Sequence, residues 1–266
     1  LLTIGGEGLA TASNDDYLAY LDGTRSAEKV KSRNSDFKYQ QKNENQFKWM
    51  SRVIQAEQVT DVESLTPDEE ENGLLREQGC WVPIIKGKGE PYYTPITQYI
   101  DWSRESVQQL QNDPKARWQG YEYFFKEGLF ISRGGTGNPV IRYAPPGVID
   151  SSGGIYIPTS EKVSARYLSG LLNSSLIQEI IKEFINGTVN TQIQDMRMVP
   201  VVIPSESEQT RMEKFVDQAI AARIRSSNAH DPAIDVSMSE IGERSLSKIE
   251  SDIDELVSDI YEIGDD

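Results

Sequence analysis

The sequence is poor in cysteine and histidine, with one of each among its 266 residues, Cys80 and His230. A single cysteine excludes a disulfide within the chain, and the two residues are too few for a Cys/His zinc site. The usual nucleophile arrangements, Ser-His-Asp and Cys-His, would both need His230. Because His230 lies in the polar run SSNAHDP, we interpret it as a solvated loop residue.

Long apolar runs are also missing. No stretch approaches the roughly 18 apolar residues of a membrane span, and the start has neither a basic region nor an apolar signal segment. The sequence therefore predicts a soluble, cytoplasmic protein with no membrane partner. It begins Leu-Leu-Thr without an initiator methionine, from which we expect a fragment of a longer protein.

Motifs for catalysis or cofactor binding are absent as well. The strings GNPVIRY and YAPPGV lack the order of the Asn/Asp-Pro-Pro-Tyr/Phe methyltransferase motif, and GGEGLATAS has no preceding full strand to form a dinucleotide-binding turn. Carboxylates such as Asp101 and Glu122 show no acid/base or metal spacing. We expect no catalytic residue, no cofactor site and no metal site in this chain.

The net charge of -15 argues at first against a nucleic-acid partner, because phosphate affinity comes from Lys and Arg. The acidity is local, however. Residues 61–80 carry -6 and residues 201–266 carry -10, whereas residues 81–200 carry +1. Residues 25–52 hold eight basic and three acidic side chains, which form either a phosphate-facing strip or a solvated charged face. A DNA partner is therefore compatible with the central part of the chain.

Patterning predicts an α+β fold, with a β-rich core and packed helices over residues 1–203 and a C-terminal helical pair over residues 204–266. Strands are indicated by GLFIS, PVIRY, GVI, GGIYIP and MVPVVIP, and a helical spacing runs from Val163 to Phe184. Capping boxes at Ser205-x-x-Glu208 and Ser237-x-x-Glu240 start the final helices. The acidic run TPDEEENG indicates an exposed insertion near residues 57–79.

A group of aromatic residues lies within and on both sides of the Lys-Gly-rich string KGKGEPYY. These are Trp81, Tyr92, Tyr93, Tyr99 and Trp102. Their area is enough to stabilise a core, which is the simpler interpretation. The alternative is that some of them stack on a base taken out of a nucleic-acid helix.

The first candidate contact loop runs from Ser132 to Pro139. Its glycines let the backbone approach a partner closely, Arg133 suits guanine, and Asn138 suits adenine or a phosphate. It is not a phosphate-binding P-loop, because the required lysine is absent and no helix follows. The alternative is a wide hairpin turn with one exposed arginine.

The second candidate loop runs from Gly187 to Gln192, whose short polar side chains either contact bases and phosphates or cap and bridge turns. Single arginines elsewhere are weaker candidates, since most form surface ion pairs. The predicted DNA-contacting residues are Arg133, Gly134, Gly135, Thr136, Asn138, Arg142, Thr188, Asn190 and Gln192.

Several segments resemble a known family. They are GGEGLATASNDDYL with Ala12 in place of a usual Gly, CWVPIIKGKGEPYY followed by IDW, YEYFFKEGLFISRGG, and the final IDELVSDIYEI. These segments, and the predicted order of helix, polar loop and proline-bounded strand from Val163 to Pro204, resemble the TaqI-like C-terminal specificity domain. That domain occurs in Type IIG restriction-modification and BREX adenine methyltransferases and is related to the specificity subunits of Type I restriction systems.

The resemblance implies a division of labour. In such proteins an N-terminal methyltransferase domain binds S-adenosylmethionine and modifies adenine, while the specificity domain reads double-stranded DNA. It therefore implies that this chain recognises a DNA sequence within a restriction-modification or anti-phage defence protein, alongside that catalytic domain and possible further subunits of the system. The alternative is a protein-docking module of the same system with marginal DNA contact.

Overall fold

The computed structural model describes residues 6–35, 52–75, 79–87, 89–132, 138–150, 154–158, 162–186, 191–227 and 244–262. The architecture is mixed α+β, as predicted, with two β-sheets and helices packed against both of them. The strands are β1 (Leu18–Leu21), β2 (Val53–Ile54), β3 (Trp81–Ile85), β4 (Gln98–Asp101), β5 (Gly128–Ser132), β6 (Ile141–Ala144), β7 (Val148–Ile149) and β8 (Gly154–Pro158).

The first sheet has five strands in the order β2-β1-β4-β3-β7. Strand β4 pairs antiparallel with both β1 and β3, while β2 and β7 add parallel partners at the two edges. Pro83 lies where β3 changes partners, since its pairing with β4 ends at Pro83↔Tyr99 and its pairing with β7 begins at Ile84↔Val148. Proline has no backbone N–H for the ladder, so this changeover is where it is best tolerated.

The second sheet is antiparallel, in the order β6-β5-β8, and lies between two apolar clusters. Successive side chains of a strand point to opposite faces. In β5, Leu129 and Ile131 therefore join the cluster on the helix side, while Phe130 joins the cluster shared with the five-stranded sheet. Every residue of β5 is buried, which explains why GLFIS is an almost continuous apolar run.

The helices are α1 (Asn14–Tyr17), α2 (Arg25–Ser35), α3 (Pro67–Asn72), α4 (Arg104–Asn112), α5 (Ala165–Asn173), α6 (Ser175–Ile180), α7 (Ile193–Arg197), α8 (Glu206–Ser227) and α9 (Leu246–Ile260). A π-helical turn, Ile181–Ile185, continues α6. Helix α2 covers the first part of the basic stretch of residues 25–52. Residues 36–51 of that stretch lie outside the described residues.

The C-terminal helical pair packs on the core through α5. Helix α8 contacts both α5 and α9, and side chains such as Met212, Val216 and Ile253 belong to the same apolar cluster as Leu129 and Ile131. The predicted capping box at Ser205 and Glu208 is confirmed: Ser205 N donates to Glu208 Oε2 over 2.7 Å, and Glu208 N donates to Ser205 Oγ over 3.3 Å. The second predicted box, at Ser237 and Glu240, lies outside the described residues.

The acidic segment that the sequence indicated as an exposed insertion is hydrogen-bonded to residues at the start of β3 and just after the end of β4 in the five-stranded sheet. Thr60 N donates to Trp81 O over 2.8 Å, and Leu74 N donates to Trp102 O over 2.8 Å. The Trp102 indole Nε1 donates to Glu69 O over 3.0 Å. Glutamates 70 and 71 therefore belong to the surface of a segment whose backbone is anchored on both sides of α3.

The strand predicted for MVPVVIP is wrong, because residues 198–204 pair with no strand in the described part of the chain. Pro200 and Pro204 each remove a backbone donor, so the segment is a poor partner in a ladder. Two of its carbonyls accept tyrosine hydroxyls instead: Tyr167 Oη donates to Val202 O over 3.0 Å, and Tyr261 Oη donates to Pro200 O.

The aromatic residues considered for base stacking are mostly core residues. Tyr92, Tyr93, Tyr99 and Trp102 are each at most 2 % exposed, so the simpler interpretation is confirmed for these four. Trp102 stacks on Trp118 at a centroid distance of 5.7 Å. Among the helices of the described residues, none is both long and apolar enough to cross a membrane.

Candidate functional site

The two candidate loops flank one helical segment, formed by α6 and the π-helical turn Ile181–Ile185. The first loop ends at Pro139, whose carbonyl accepts the side-chain amide of Gln178 over 3.3 Å. Next to it, Asn173 Nδ2 donates to Ile141 O over 2.7 Å. The second loop begins at Asn186, whose backbone N–H closes the π-helical turn on Ile181 O over 2.8 Å. The structure therefore attaches both loops to the same helical segment, formed by α6 and the π-helical turn.

Asp195 joins the two ends of the second loop. Its Oδ2 accepts the side-chain amide of Asn186 and also the backbone N–H of Gln192, the latter over 2.7 Å. The second contact is half of a capping box at the start of α7, in which Gln192 is the N-cap residue. The half-buried Asp195 carboxylate thus holds Asn186 and Gln192, the residues on either side of positions 187–191.

Exposed side chains of two kinds lie at the loop ends, in the π-helical turn and in the segment after α7. Asn138 and Gln192 are exposed polar residues at the ends of the two loops. Phe184 is 80 % exposed and Met198 is 64 % exposed, which is unusual for apolar side chains of this size. The surface therefore combines amide groups suited to hydrogen bonding with apolar groups suited to stacking or insertion.

The remaining predicted loop residues lie outside the described residues. These are Arg133, Gly134, Gly135 and Thr136 in the first loop and Thr188 and Asn190 in the second. Their contact with DNA stays a prediction. The described residues on either side of them fix where each loop starts and ends.

Arg142 lies between the two sheets and is 4 % exposed. Its Nη2 donates to Lys86 O over 2.7 Å and to Gly87 O over 3.1 Å, and its guanidinium lies 4.8 Å from the centre of the Phe130 ring. Burial lowers the pKa of this group to about 10. Contact between Arg142 and a duplex would require the Lys86–Gly87 backbone to move. Arg142 therefore differs from the exposed polar residues at the ends of the two loops.

The weaker arginine and lysine candidates have partners of their own. Arg166 Nε donates to Asp217 Oδ1 over 2.7 Å, its Nη1 lies 3.4 Å from Glu127 Oε2, and its guanidinium lies over the Tyr143 ring. Lys126 Nζ donates to Glu122 O over 2.6 Å. These contacts show ordinary structural roles, as is common for single basic side chains.

Sequence reasoning missed Phe184 and Asp195. Phe184 continues the apolar helical spacing of Ile177, Ile180 and Ile181, so the pattern indicated a buried position. The π-helical turn adds a residue to the helix and changes the register of its faces, which leaves Phe184 in solvent. For Asp195 a signal was present, since Gln192-x-x-Asp195 has the spacing of a capping box.

The structure is thus an α+β scaffold that presents two polar loops from one helical support. Residues 82–201 match the family described as the TaqI-like C-terminal specificity domain. Over these residues, which are less than half of the chain, the sequence is that of a TaqI-like C-terminal specificity domain, and the match supports a role in DNA target recognition in methyltransferase-type systems. No curated protein matches the chain.

The match extends from β3 to the segment before α8, so it includes both candidate loops, their helical support and the three-stranded sheet. Residues before Val82 and the C-terminal helical pair lie outside the match. The loops are therefore within the part of the chain for which DNA recognition is the family role.

Proposed function

We propose that this chain reads the sequence of double-stranded DNA for an adenine-specific methyltransferase of a restriction-modification or BREX-type defence system. In this proposal a separate N-terminal domain of the parent protein binds S-adenosylmethionine and carries out the transfer. The observation that carries the proposal is the specificity-domain match over residues 82–201, which includes both loops.

The spacing of the loops supports contact with a groove. Gln178, which holds the first loop, and Asn186, which begins the second, are eight positions apart along the helical segment. At about 1.5 Å per residue this corresponds to roughly 12 Å along the axis. The major groove of B-DNA is also about 12 Å wide. Two loops held at this separation suit the edges of a single groove.

The side chains at the loop ends support base contact. Asn and Gln can form bidentate hydrogen bonds with the edge of adenine, and such a pair discriminates between bases by about 1–3 kcal/mol. Asn138 and Gln192 are exposed and lie at the fixed ends of the loops, so they need little ordering upon binding. We propose them as base or phosphate contacts, together with the predicted residues within the loops.

The charge distribution predicts the salt dependence. Because residues 81–200 carry only +1, few phosphates can be neutralised, and the slope of log affinity against log salt should be shallow compared with that of a basic DNA-binding domain. Specific contacts then supply a larger share of the affinity. Binding to random duplex is expected to be weak even where binding to the target is measurable.

The test is selection from a random duplex library with the 266-residue chain at low salt, followed by anisotropy titration of the enriched duplex. Enrichment of one sequence motif is expected. Asn138→Ala and Gln192→Ala should each weaken binding to that motif by about tenfold. Gln108→Ala, which changes an exposed amide on α4, is the matched control and should bind as the unchanged chain does.

The docking alternative makes the opposite prediction. A chain that enriches no motif and binds no duplex at low salt, while it binds the methyltransferase domain or another subunit tightly, would be a protein-docking module. The same titrations decide between the two functions, since the docking module would show no response to Asn138→Ala or Gln192→Ala in any DNA measurement.

A further inference from the structure

The buried guanidinium of Arg142 has an incomplete set of partners. Nη2 donates to two carbonyls, those of Lys86 and Gly87, but the buried Nε has no hydrogen-bond partner. Within the described residues, no carboxylate forms an ion pair with this group. A buried charge that lacks a counter-charge is costly, and two carbonyls with one aromatic face compensate it only in part.

A cleft of about 120 Å³ lies beside Arg142, between the ends of β3 and β6 and the chain before β4. Its lining includes Lys86, Thr94, Thr97, Gln98 and Arg142 and the hydroxyl-bearing Tyr93 and Tyr143, and among the described residues no Asp or Glu lines it. About 10–15 Å³ of cavity volume is enough for one water molecule. The cleft therefore has room for a group of several heavy atoms together with water. Gly89 lies directly against the guanidinium, since a Cβ there would lie 2.1 Å from Arg142 Nη1.

Lys86 adds a second positive charge to this cleft. Its Nζ lies 3.5 Å from Asp150 Oδ2, and the side chain is only 17 % exposed. Asp150 is itself 3 % exposed and is not part of the lining. Asp150 thus partly balances the Lys86 charge, so Arg142 is the cationic lining residue without a carboxylate partner among the described residues. Thr94, Thr97 and Gln98 add hydrogen-bonding groups to the lining.

We infer that this cleft binds a small free oxyanion, of which phosphate is the type, through the Arg142 guanidinium. The planar fork of arginine matches the geometry of phosphate and carboxylate oxygens, and Arg142 lines the cleft without a carboxylate partner among the described residues. A duplex backbone cannot reach a group that is 4 % exposed, so the ligand is a free anion or a terminal phosphate monoester. The inference does not depend on the proposed DNA recognition.

The direct test observes Arg142 itself. In the 266-residue chain labelled with nitrogen-15 arginine, the Nε–Hε resonance of Arg142 is assigned by its loss in Arg142→Lys. Inorganic phosphate is then added at constant ionic strength, with chloride as the balancing ion. A saturable shift of that resonance is expected, while the Nε–Hε resonance of Arg166, whose Nε already donates to Asp217, stays in place.

Thermal unfolding gives the affinity. The unfolding midpoint should rise with phosphate concentration, because a ligand that binds only the folded state stabilises it. Arg142→Gln should weaken the apparent affinity by about tenfold or more, as expected for the loss of charge-assisted hydrogen bonds. Arg166→Gln is the matched control: it removes an arginine that also lies over an aromatic ring, and the phosphate response should be unchanged.

Separate arms distinguish the ligands. A short single strand with a 5′-phosphate should shift the Arg142 resonance as inorganic phosphate does, whereas a duplex with 5′-hydroxyl ends should not. Absence of any shift with phosphate, or a shift seen only with duplex, would overturn the inference. Should Arg142→Gln fail to fold, the resonance of the unchanged chain still decides the matter.

Discussion

The Asp195 carboxylate and the Asn186 side-chain amide are hydrogen-bonded across the base of the second candidate loop, and Gln192 N donates to the same carboxylate oxygen. Five residues separate Asn186 from Gln192, so this contact sets where the loop between them leaves the scaffold. A loop with fixed ends loses less conformational entropy when it binds than a loop with free ends. The contact therefore links a local capping motif to recognition.

Replacement of Asp195 by Ala should weaken DNA binding more than it lowers stability. The variant removes an N-terminal cap and a contact between the loop ends, which should lower the free energy of unfolding by about 1–2 kcal/mol. The affinity for the selected duplex should fall by about tenfold or more, because residues 187–191 lose their fixed departure points. Urea unfolding and anisotropy titration measure the two effects.

Two variants serve as controls for Asp195→Ala. Asp195→Asn keeps an oxygen that can accept from Asn186 and Gln192, so most of the affinity should remain. Gln194→Ala changes an exposed neighbour on the same helix and should have no effect on binding. If Asp195→Ala bound the selected duplex as tightly as Gln194→Ala does, the loop ends would not need to be fixed.

Removal of the Phe184 ring should weaken DNA binding without loss of stability. The ring is 80 % exposed, so Phe184→Ala removes little buried area and should change the unfolding free energy by less than about 0.5 kcal/mol. Stacking or insertion of an aromatic ring at a base step contributes about 1–3 kcal/mol, so the affinity should fall at least several-fold. Phe184→Tyr keeps the ring and should retain the affinity.

The matched control for Phe184→Ala is Leu75→Ala. Leu75 is 76 % exposed and lies beyond α3, away from both loops. The two variants remove similar exposed apolar groups, so a loss of affinity in both would show a general effect of surface apolarity. A loss confined to Phe184→Ala assigns the ring to the DNA-binding surface.

Replacement of Ala12 by Gly should stabilise the protein. Ala12 has φ of 62°, in the left-handed region that costs an L-residue about 1–2 kcal/mol. Glycine adopts this conformation freely but loses about 0.5–1 kcal/mol of chain entropy on folding, so the net gain should be roughly 0.5–1 kcal/mol. The sequence resemblance marked this position as one where glycine is usual, and the backbone angle gives the physical reason.

Ala10→Gly is the control for this prediction. Ala10 lies two positions earlier and pairs with Arg117 through both backbone groups, at 3.1 Å and 2.9 Å, in a conformation without positive φ. There glycine brings only its entropic cost, so the variant should be destabilised by roughly 0.5–1 kcal/mol. Stabilisation by Ala10→Gly equal to that of Ala12→Gly would contradict the role given to the left-handed angle.

Glycine and proline boundaries and capping motifs in the sequence correctly predicted several strands and the start of one helix. GLFIS, PVIRY, GVI and GGIYIP were bounded by glycine and proline and all contain strands, and the Ser205 capping box starts α8. The residues 198–204 looked equally like a strand from their β-branched composition. A strand also needs free backbone donors and acceptors to pair with a neighbour. Here the two prolines lack a backbone N–H, and two carbonyls already accept tyrosine hydroxyls, so no ladder forms among the described residues.

The position of Arg142 shows what local patterns leave out. In PVIRY the arginine alternates with Ile141 and Tyr143, which is the pattern of a strand with one face in solvent. Both faces of β6 are covered instead, because the five-stranded sheet packs on the side of Phe130 and Arg142. That layer is brought in by strands from Leu18 to Ile149, and its placement is a long-range property that the string around Arg142 does not contain.

Alkaline pH should destabilise the fold through its buried tyrosines. Burial raises the pKa of four tyrosine hydroxyls well above their ordinary value: those of Tyr92, Tyr143, Tyr156 and Tyr167. In the unfolded chain these groups ionise near pH 10. Because the folded-state pKa is the higher one, the stabilising contribution is complete below about pH 10 and is lost as pH rises from there toward the folded-state value.

The expected slope is up to about 1.4 kcal/mol per pH unit for each such tyrosine within that window. Urea unfolding at a series of pH values measures it, and tyrosinate absorbance should rise together with unfolding rather than before it. Tyr156→Phe removes one titrating group, whose hydroxyl donates to Lys126 O, so this variant should be less stable near neutral pH and should show a shallower alkaline slope. Ionisation of these four hydroxyls near pH 10 in a protein that stays folded would contradict their burial in the core.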